Sequence, residues 1–391
     1  MEAKLSVMES IEHAYLRQYE DGKIELDEVC ERLKLHRSSV WRKCQKLEAQ
    51  GPLGLIHGLR GKPSNFREDP DIKKKVCDLF EKEYKPYGYR PAHFYQDALE
   101  QDPTSPSYPS VLRWLKSAHL IEQSRKGCKH HSRRPRREAF GEMLQMDTSI
   151  HDWLGWNKNI ALISNIDDCT SHVCGARLQL TDTTLGNMTV IKETIITYGL
   201  FGSLYVDRSA IFKVTRTGGI GRIHQPTYAT AYTTQVQRAL STLGIKLIYA
   251  YSPQAKGRVE RGYQTWQTRL VPELRKNGIT DLDKANLYIQ EVYLPRHNER
   301  FAQDYKKYAS SFIPINNIDL DLILAEKYEL TIGNDHIVSS KQANLSLKIL
   351  PSKHRFSYAK ARVEVFRQTN GSVHVFYQGD PLNFIDYTQK K

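Results

Sequence analysis

Apolar residues recur at helical spacing along the first fifty positions. Leu26, Val29, Cys30 and Leu33 form one stripe, Lys34-Leu35-His36 interrupts it, and Val40, Cys44 and Leu47 form a second. Two amphipathic stripes so closely joined predict a helix-turn-helix over residues 1–50, with Ser38 or Ser39 capping its second helix. Arg37, Ser38, Ser39, Arg42, Lys43 and Lys46 fall off the apolar stripe, where they are free to meet phosphates or base edges. An ordinary charged helical hairpin is the plainer alternative. The turn formers from Gly51-Pro52-Leu53-Gly54 to Pro63-Ser64-Asn65 read as a linker, residues 51–68. Ile72, Val76, Leu79 and Phe80, then residues 91–100, then Val111, Leu112 and Leu115 behind a capping Ser107, predict three more helices in residues 69–123. They form either a second helix-turn-helix-like unit or a structural bundle, with Tyr84, Tyr87 and Tyr89 as turn and packing residues.

Periodicity then stops, and it resumes in another form. Residues 124–138 are a basic linker with seven Lys and Arg, among them Arg133, Arg134, Arg136 and Arg137. Such a run suits tracking a phosphate backbone. From about 139 to 305 strand-length apolar runs (160–166, 173–178, 204–206, 245–251) alternate with helical faces. Met188, Ile191, Ile195 and Tyr198 make one face, closed by Gly199, and Val236, Leu240 and Leu243 another, closed by Gly244. That alternation predicts an α/β domain rather than a helical bundle. Over residues 306–391, short strand candidates at 338–339, 345–350, 362–366 and 373–377 predict a small β-barrel.

Composition narrows the class of partner. The chain has 391 residues, enough for two to four domains, with 57 Lys and Arg against 44 Asp and Glu, for a net charge of +13. A polyanionic partner follows, nucleic acid before membrane, because no apolar run approaches the roughly 18 residues of a membrane span. The N-terminus lacks a signal-peptide pattern, so a soluble intracellular protein is expected. Six cysteines form no C-x-x-C pair, and His130 and His131 beside Cys128 lack a fourth ligand, so no zinc site is expected. Gly218-Gly219-Ile220-Gly221-Arg222 and Gly61-Lys62 do not satisfy a phosphate-binding loop, and no nucleotide cofactor is implied.

Three acids stand out by their surroundings. Asp147 lies in Leu144-Gln145-Met146-Asp147-Thr148-Ser149, Asp207 in Leu204-Tyr205-Val206-Asp207-Arg208, and Glu260 in Ser252-Pro253-Gln254-Ala255-Lys256-Gly257-Arg258-Val259-Glu260-Arg261, at intervals of 60 and 53 residues. Asp207 follows an apolar run, at the edge of a buried strand. Glu260 lies beyond a helix-starting proline, with Lys256 four residues earlier on the same helical face and Arg258 and Arg261 flanking it. Taken singly, each acid reads as a solvated strand cap or a helical ion-pair partner; Asp152 and the tandem Asp167-Asp168 compete for the same role.

At these residues the chain resembles insertion-sequence DDE transposases, whose catalytic core is similar to that of retroviral integrases. The resemblance covers most of the chain and implies a ribonuclease-H-like core, a mixed five-stranded sheet with flanking helices in which the three carboxylates converge. It implies catalysis and metal binding by Asp147, Asp207 and Glu260, with two Mg²⁺ (or Mn²⁺) ions expected, since Mg²⁺ takes few protein oxygens and leaves room for phosphate and water. Lys256, Arg258 and Arg261 would contact DNA. The implied partners are double-stranded DNA, as element terminal repeats and target, and a second copy of the chain at least. A cytoplasmic, nucleoid-associated place in a prokaryotic host follows. Arg208 departs from the small or amide residue common after the second Asp, and His297-Asn298-Glu299-Arg300 resembles a structural tail motif. A catalytically silent DNA-binding regulator or domesticated transposase is the rival reading, and a generic metal nuclease a third.

Overall fold

A computed structural model describes residues 5–58, 60, 69–122, 135–214, 233–250, 257–341, 344–352 and 355–388, without the side chains of 257–260. The chain divides into two compact units, Met1–Lys75 and Val76–Lys391.

The first unit holds α1 (Val7–Glu20), α2 (Leu26–Leu33) and α3 (Arg37–Gln50) around Leu16, Val29, Val40, Leu47 and Leu55. Ser6 and Glu9 close a capping box on α1. Lys34 ends α2 in the left-handed region, φ 52°. The expected serine cap on α3 is replaced by His36, whose Nδ1 accepts from the Ser38 amide at 3.3 Å, because the helix begins one residue before Ser38. The predicted linker starts as a 3-10 turn, Gly51–Leu55, that buries Leu55 in the same core.

The second unit opens with α4 (Pro70–Glu83), α5 (Pro91–Ala98) and α6 (Tyr108–Ser117), the unit boundary falling within α4. Their core is aromatic: Phe80, Tyr84, Tyr89, Phe94 and Trp114. Next come β1 (Leu144–His151), β2 (Ile160–Asp167), β3 (Val173–Gln179), α7 (Thr184–Tyr198), β4 (Ser203–Val206), α8 (Gln235–Thr242), β5 (Lys246–Tyr249), α9 (Gly257–Lys276), α10 (Leu282–Tyr288), a π turn at Ile289–Tyr293 and α11 (Leu294–Phe301). The expected five-stranded mixed sheet is present in the order β3-β2-β1-β4-β5, antiparallel on the β3 side and parallel from β1 to β5.

Both faces of that sheet are covered. Leu144, Met146, Ile163, Leu204 and Val206 pack with Met188 and Ile191 of α7 and Val236 and Leu240 of α8. Ile160, Leu162 and Ile166 pack on the other face with Tyr263, Trp266 and Leu270 of α9. The outer edge of β3 is covered by amides: Asn286 pairs with Leu178 N and O at 2.7 and 3.1 Å, Asn298 with Val173 N and O at 2.8 and 3.0 Å, and Gln290 with Ala176 O at 2.7 Å. An edge so capped is closed to further strand addition. The His297–Arg300 motif is thus structural here, through Asn298.

α12 (Leu320–Ile323) leads to β6 (Glu326–Thr331), β7 (Ile337–Ser340), β8 (Leu345–Ile349), β9 (Arg362–Arg367), β10 (Val373–Tyr377), β11 (Asp380–Leu382) and β12 (Phe384–Asp386). Two sheets, β11-β10-β9-β6 and β12-β8-β7, share a core of Val338, Leu347, Val363, Val365 and Val375. Among the described residues these ladders do not close into the expected barrel, because the chain changes sheet between β11 and β12. Gln235 of α8 holds this module to the core by pairing with Lys327 O and N at 2.7 and 3.0 Å.

Candidate active site

Strand parity decides where the acids point. Leu144 and Met146 face the α7 side, so Gln145, Asp147 and Ser149 face α9; Leu204 and Val206 likewise leave Tyr205 and Asp207 toward α9. Asp147 lies opposite Ser164 of β2, whose hydroxyl donates to Tyr263 of α9 at 2.9 Å. The parallel register of Leu144 with Leu204 and Gln145 with Tyr205, carried two residues further, sets Asp147 beside Asp207. Adjacent strands are about 4.8 Å apart. Two carboxylates therefore share one face of the sheet, one in β1 and one just past the end of β4. Asp207 Oδ1 also accepts from the Ser209 amide at 2.9 Å, which fixes the turn after the strand.

α9 is tied to the strand that carries Asp147. The Tyr263 hydroxyl donates to the Asp147 carbonyl oxygen. Burial pushes its pKa well above the usual phenol range, so it remains a donor. Gln267 donates to Ser149 Oγ at 3.3 Å one turn further on. Glu260 is in the first turn of α9, three residues before Tyr263. Its side chain and that of Arg258 are outside the described residues, as are Lys256, Arg133, Arg134, the 218–222 glycines and the 128–131 Cys-His cluster. Among the described residues no three His, Cys, Asp or Glu side chains are grouped to hold a metal.

One residue at this site was missed from the sequence. Asp182, just before α7, is open to solvent on its outer side, yet burial raises its carboxyl pKa, and the Asp207 and Asp147 charges raise it further, against hydrogen bonds from Asn187 and Thr148. Asn187 Nδ2 reaches its Oδ1 at 2.7 Å. The signal available in the sequence was its place at the end of the β3 run, the same edge of the sheet as Asp147 and Asp207.

The competing acids have other work. Asp152 caps a loop, accepting from the Trp156 and Asn157 amides at 2.9 and 3.1 Å. Asp167, 1% exposed, accepts from Gly141 N, Thr170 N and Thr170 Oγ1 at 2.9, 2.7 and 2.8 Å, and burial raises its pKa. Asp168 takes the Arg137 amide at 2.9 Å.

The basic residues divide in a similar way. Arg37 bonds Asp27 (Nε to Oδ1, 2.9 Å), Lys43 pairs with Glu12, and Arg42 Nε bonds Ser38 O at 3.2 Å. Ser38, Lys46 and Arg261 are exposed and Ser39 half-buried. Arg136 is bound to Cys169 O and Ser171 Oγ at 2.7 and 2.8 Å, and Arg137 to Glu142 at 3.1 Å.

The sheet order, the two acids on its α9 face and the helix tied to the strand of Asp147 define a mixed α/β domain with carboxylates gathered at one end of its sheet. No family model matches the chain, but the resemblance to insertion-sequence transposases holds. The protein named transposase y4bF of Sinorhizobium fredii is 28% identical over 286 residues, 72% of this chain and 60% of that protein. The transposase for insertion sequence IS1202 of Streptococcus pneumoniae is 24% identical over 400 aligned positions, 94% of this chain and 84% of that protein. Among solved structures, a chain of the simian T-cell lymphotropic virus intasome bound to PP2A subunit B56 gamma matches at 14% identity and TM-score 0.33, covering 79% of this chain and 98% of that one. The dimeric HTLV-2 integrase catalytic core with magnesium matches at 15% identity and TM-score 0.29, over 39% of this chain and 86% of that one. No helix among the described residues is long and apolar enough to cross a membrane.

Proposed function

We propose that the protein is a DDE transposase that binds the terminal repeats of an insertion sequence and catalyses metal-dependent DNA cleavage and strand transfer. The observation that carries this reading is the shared sheet face of Asp147 and Asp207 beneath a helix that Tyr263 fastens to Asp147 and that holds Glu260 one turn earlier. Oxygen-only donors suit Mg²⁺ or Mn²⁺ better than zinc or copper, which favour nitrogen and sulfur ligands. Two such ions would stabilise charge on the transferring phosphoryl group and lower the pKa of the attacking water or 3′-hydroxyl. Asp147 and Asp207 supply rigid ligands because one lies within a strand and the other directly follows one. Arg261, at the same end of α9, lies where a phosphate backbone would approach. Cleavage and joining by transesterification require no covalent bond to protein. α1–α3 form the helix-turn-helix that reads the element ends, and the basic run of residues 124–138 supplies cations for the DNA backbone. Two ends joined in one event require at least two copies of the chain.

The test is incubation of the full chain with labelled element-end DNA and a target plasmid in Mg²⁺, beside Asp207→Asn. Joined products should fall by roughly 10³-fold or more in the variant, the several kcal/mol that metal-borne charge stabilisation contributes. Specific, EDTA-resistant binding with neither cutting nor joining by the unaltered chain would establish the regulator reading instead. Cutting without joining would leave a nuclease.

A further inference from the structure

Trp41 is 64% exposed on α3, with no ring contact or hydrogen bond to any described residue. The other four tryptophans are engaged: Trp114, Trp153 and Trp266 are buried, and Trp156 donates to Thr280 O at 2.9 Å. The Trp41 indole therefore contributes nothing to the core that Leu16, Val29, Val40, Leu47 and Leu55 build beneath α3. At about 100° per residue, Ser38, Trp41, Arg42 and Gln45 share one side of α3, opposite the core-facing Val40, Cys44 and Leu47. All four are exposed.

Charge on this unit is segregated. α3 carries Arg37, Arg42, Lys43 and Lys46 against Glu48, a net +3, whereas α1 and α2 each carry −2. Lys43 turns inward to Glu12 and Arg37 is tied to Asp27, whereas Arg42, its Nε on Ser38 O, and Lys46 are exposed along one side of the face that carries the indole. A protein partner would ask for a contiguous apolar patch. Here a single aromatic is ringed by Ser38, Arg42 and Gln45. The apolar residues exposed on α1, Val7, Met8 and Ile11, belong to another helix.

We infer that Trp41 is a base-contacting residue: α3 enters the major groove of duplex DNA with the indole against the C5-methyl edge of a thymine. Gln45 stands beside it to pair with an adenine edge, and Arg42 and Lys46 lie on flanking phosphates. This rests on the reading of the chain as a DNA-recognising transposase. It adds a specificity determinant to α3 that charge pattern alone does not identify. Phosphate contacts position such a helix without carrying sequence information, whereas an apolar contact to a thymine methyl discriminates.

The experiment selects bound sequences from a random duplex library with the full chain, Trp41→Ala and Trp41→Phe. The unaltered chain and Trp41→Phe should enrich one motif, and Trp41→Ala should lose preference at one or two adjacent positions. Its melting temperature and the salt slope of its binding to mixed-sequence DNA should be unchanged. Deoxyuridine in place of the contacted thymine should weaken the unaltered chain roughly tenfold and leave Trp41→Ala unaffected. Enrichment of the full motif by Trp41→Ala, or no effect of deoxyuridine, overturns the assignment to Trp41 while the DNA reading stands. No motif from the unaltered chain overturns the reading of α1–α3 as a sequence reader, and Trp41's role with it. An altered oligomeric state in Trp41→Ala with the motif intact assigns the indole to a protein interface instead.

Discussion

α1–α3 and α4–α6 are both short three-helix modules with an apolar stripe per helix, yet they place their polar residues in opposite ways. The first closes on five aliphatic side chains and leaves the outer side of α3 exposed. The second closes on aromatics and sends its polar residues into the core domain. His93, stacked on Tyr89 at 4.2 Å, reaches Glu273 of α9 at 2.9 Å; Asp97 meets Lys276 at 3.3 Å; Glu100 meets Arg300 at 2.7 Å. Lys276 also lies 3.5 Å from the centroid of the Tyr84 ring. A module that docks on α9 braces the helix that carries Glu260, whereas one whose basic helix keeps an exposed side suits the DNA-reading role proposed above. The two roles are told apart by the destination of the charged side chains, which helical periodicity does not encode.

The largest effect expected from this contrast is at Glu273. It is 6% exposed and receives His93, Tyr288 and Arg296 together. Glu273→Ala leaves the buried His93 and half-buried Tyr288 without this acceptor and the half-exposed Arg296 without its nearest carboxylate, a loss of about 3 kcal/mol. Thermal unfolding of the full chain should show the transition of the Val76–Lys391 unit lowered by at least about 6 °C, with binding to mixed-sequence DNA retained at low temperature. A shift below about 1 °C would mean that α4–α6 does not brace the core.

Acid should weaken the same unit by a somewhat smaller amount per histidine. Burial lowers the pKa of His297 to about 3 and of His172 to about 4. Both are neutral when folded and take up a proton near 6.5 when unfolded, so their contribution is full above that pH and is lost as pH falls from 6.5 toward the folded values. Each unit of acidification costs about 1.4 kcal/mol per histidine, or about 2 kcal/mol each between pH 6.5 and 5. His297 accepts from Trp266 Nε1 at 3.3 Å on Nε2, which places its proton on Nδ1. His297→Gln should flatten the decline in melting temperature over that interval. A decline unchanged in His297→Gln would assign the acid sensitivity to other groups.

The sheet was legible because its strands are apolar runs closed by turns. The predicted runs at 160–166, 173–178 and 373–377 coincide with β2, β3 and β10 to within a residue or two. β1 was not among the predicted runs, and β6, β11 and β12 were not foreseen either. Glu326–Thr331 alternates charged and apolar residues on a half-exposed surface, and β11 and β12 are three residues long. Asp207 was legible because it directly follows such a run, and Asp147 through the family resemblance of its segment, which is no continuous apolar run; Asp182 was not, because its neighbours Thr181, Thr183 and Thr184 give no apolar frame. The docking of α4–α6 was illegible for another reason. Its contacts join residues about 180 positions apart, such as His93 and Glu273, and no local pattern reports a partner so distant.

The smallest effect separates structural from binding cations within α3 itself. Lys43 and Lys46 are equivalent by composition, but Lys43 lies against Glu12 of α1 with 27% of its side chain exposed, whereas Lys46 is exposed. A partly exposed pair of this kind contributes about 1 kcal/mol or less. Lys43→Ala should therefore lower stability by no more than that, and Glu12→Ala should add little in the double variant because the partner is already gone. For DNA the order reverses. Lys46→Ala should reduce the slope of log affinity against log salt by about one, the release of one phosphate counterion, while Lys43→Ala leaves it nearly unchanged. Equal slopes for the two variants would mean that Lys43 leaves Glu12 when DNA is bound, and that the inward pairing of α3 describes the free protein alone.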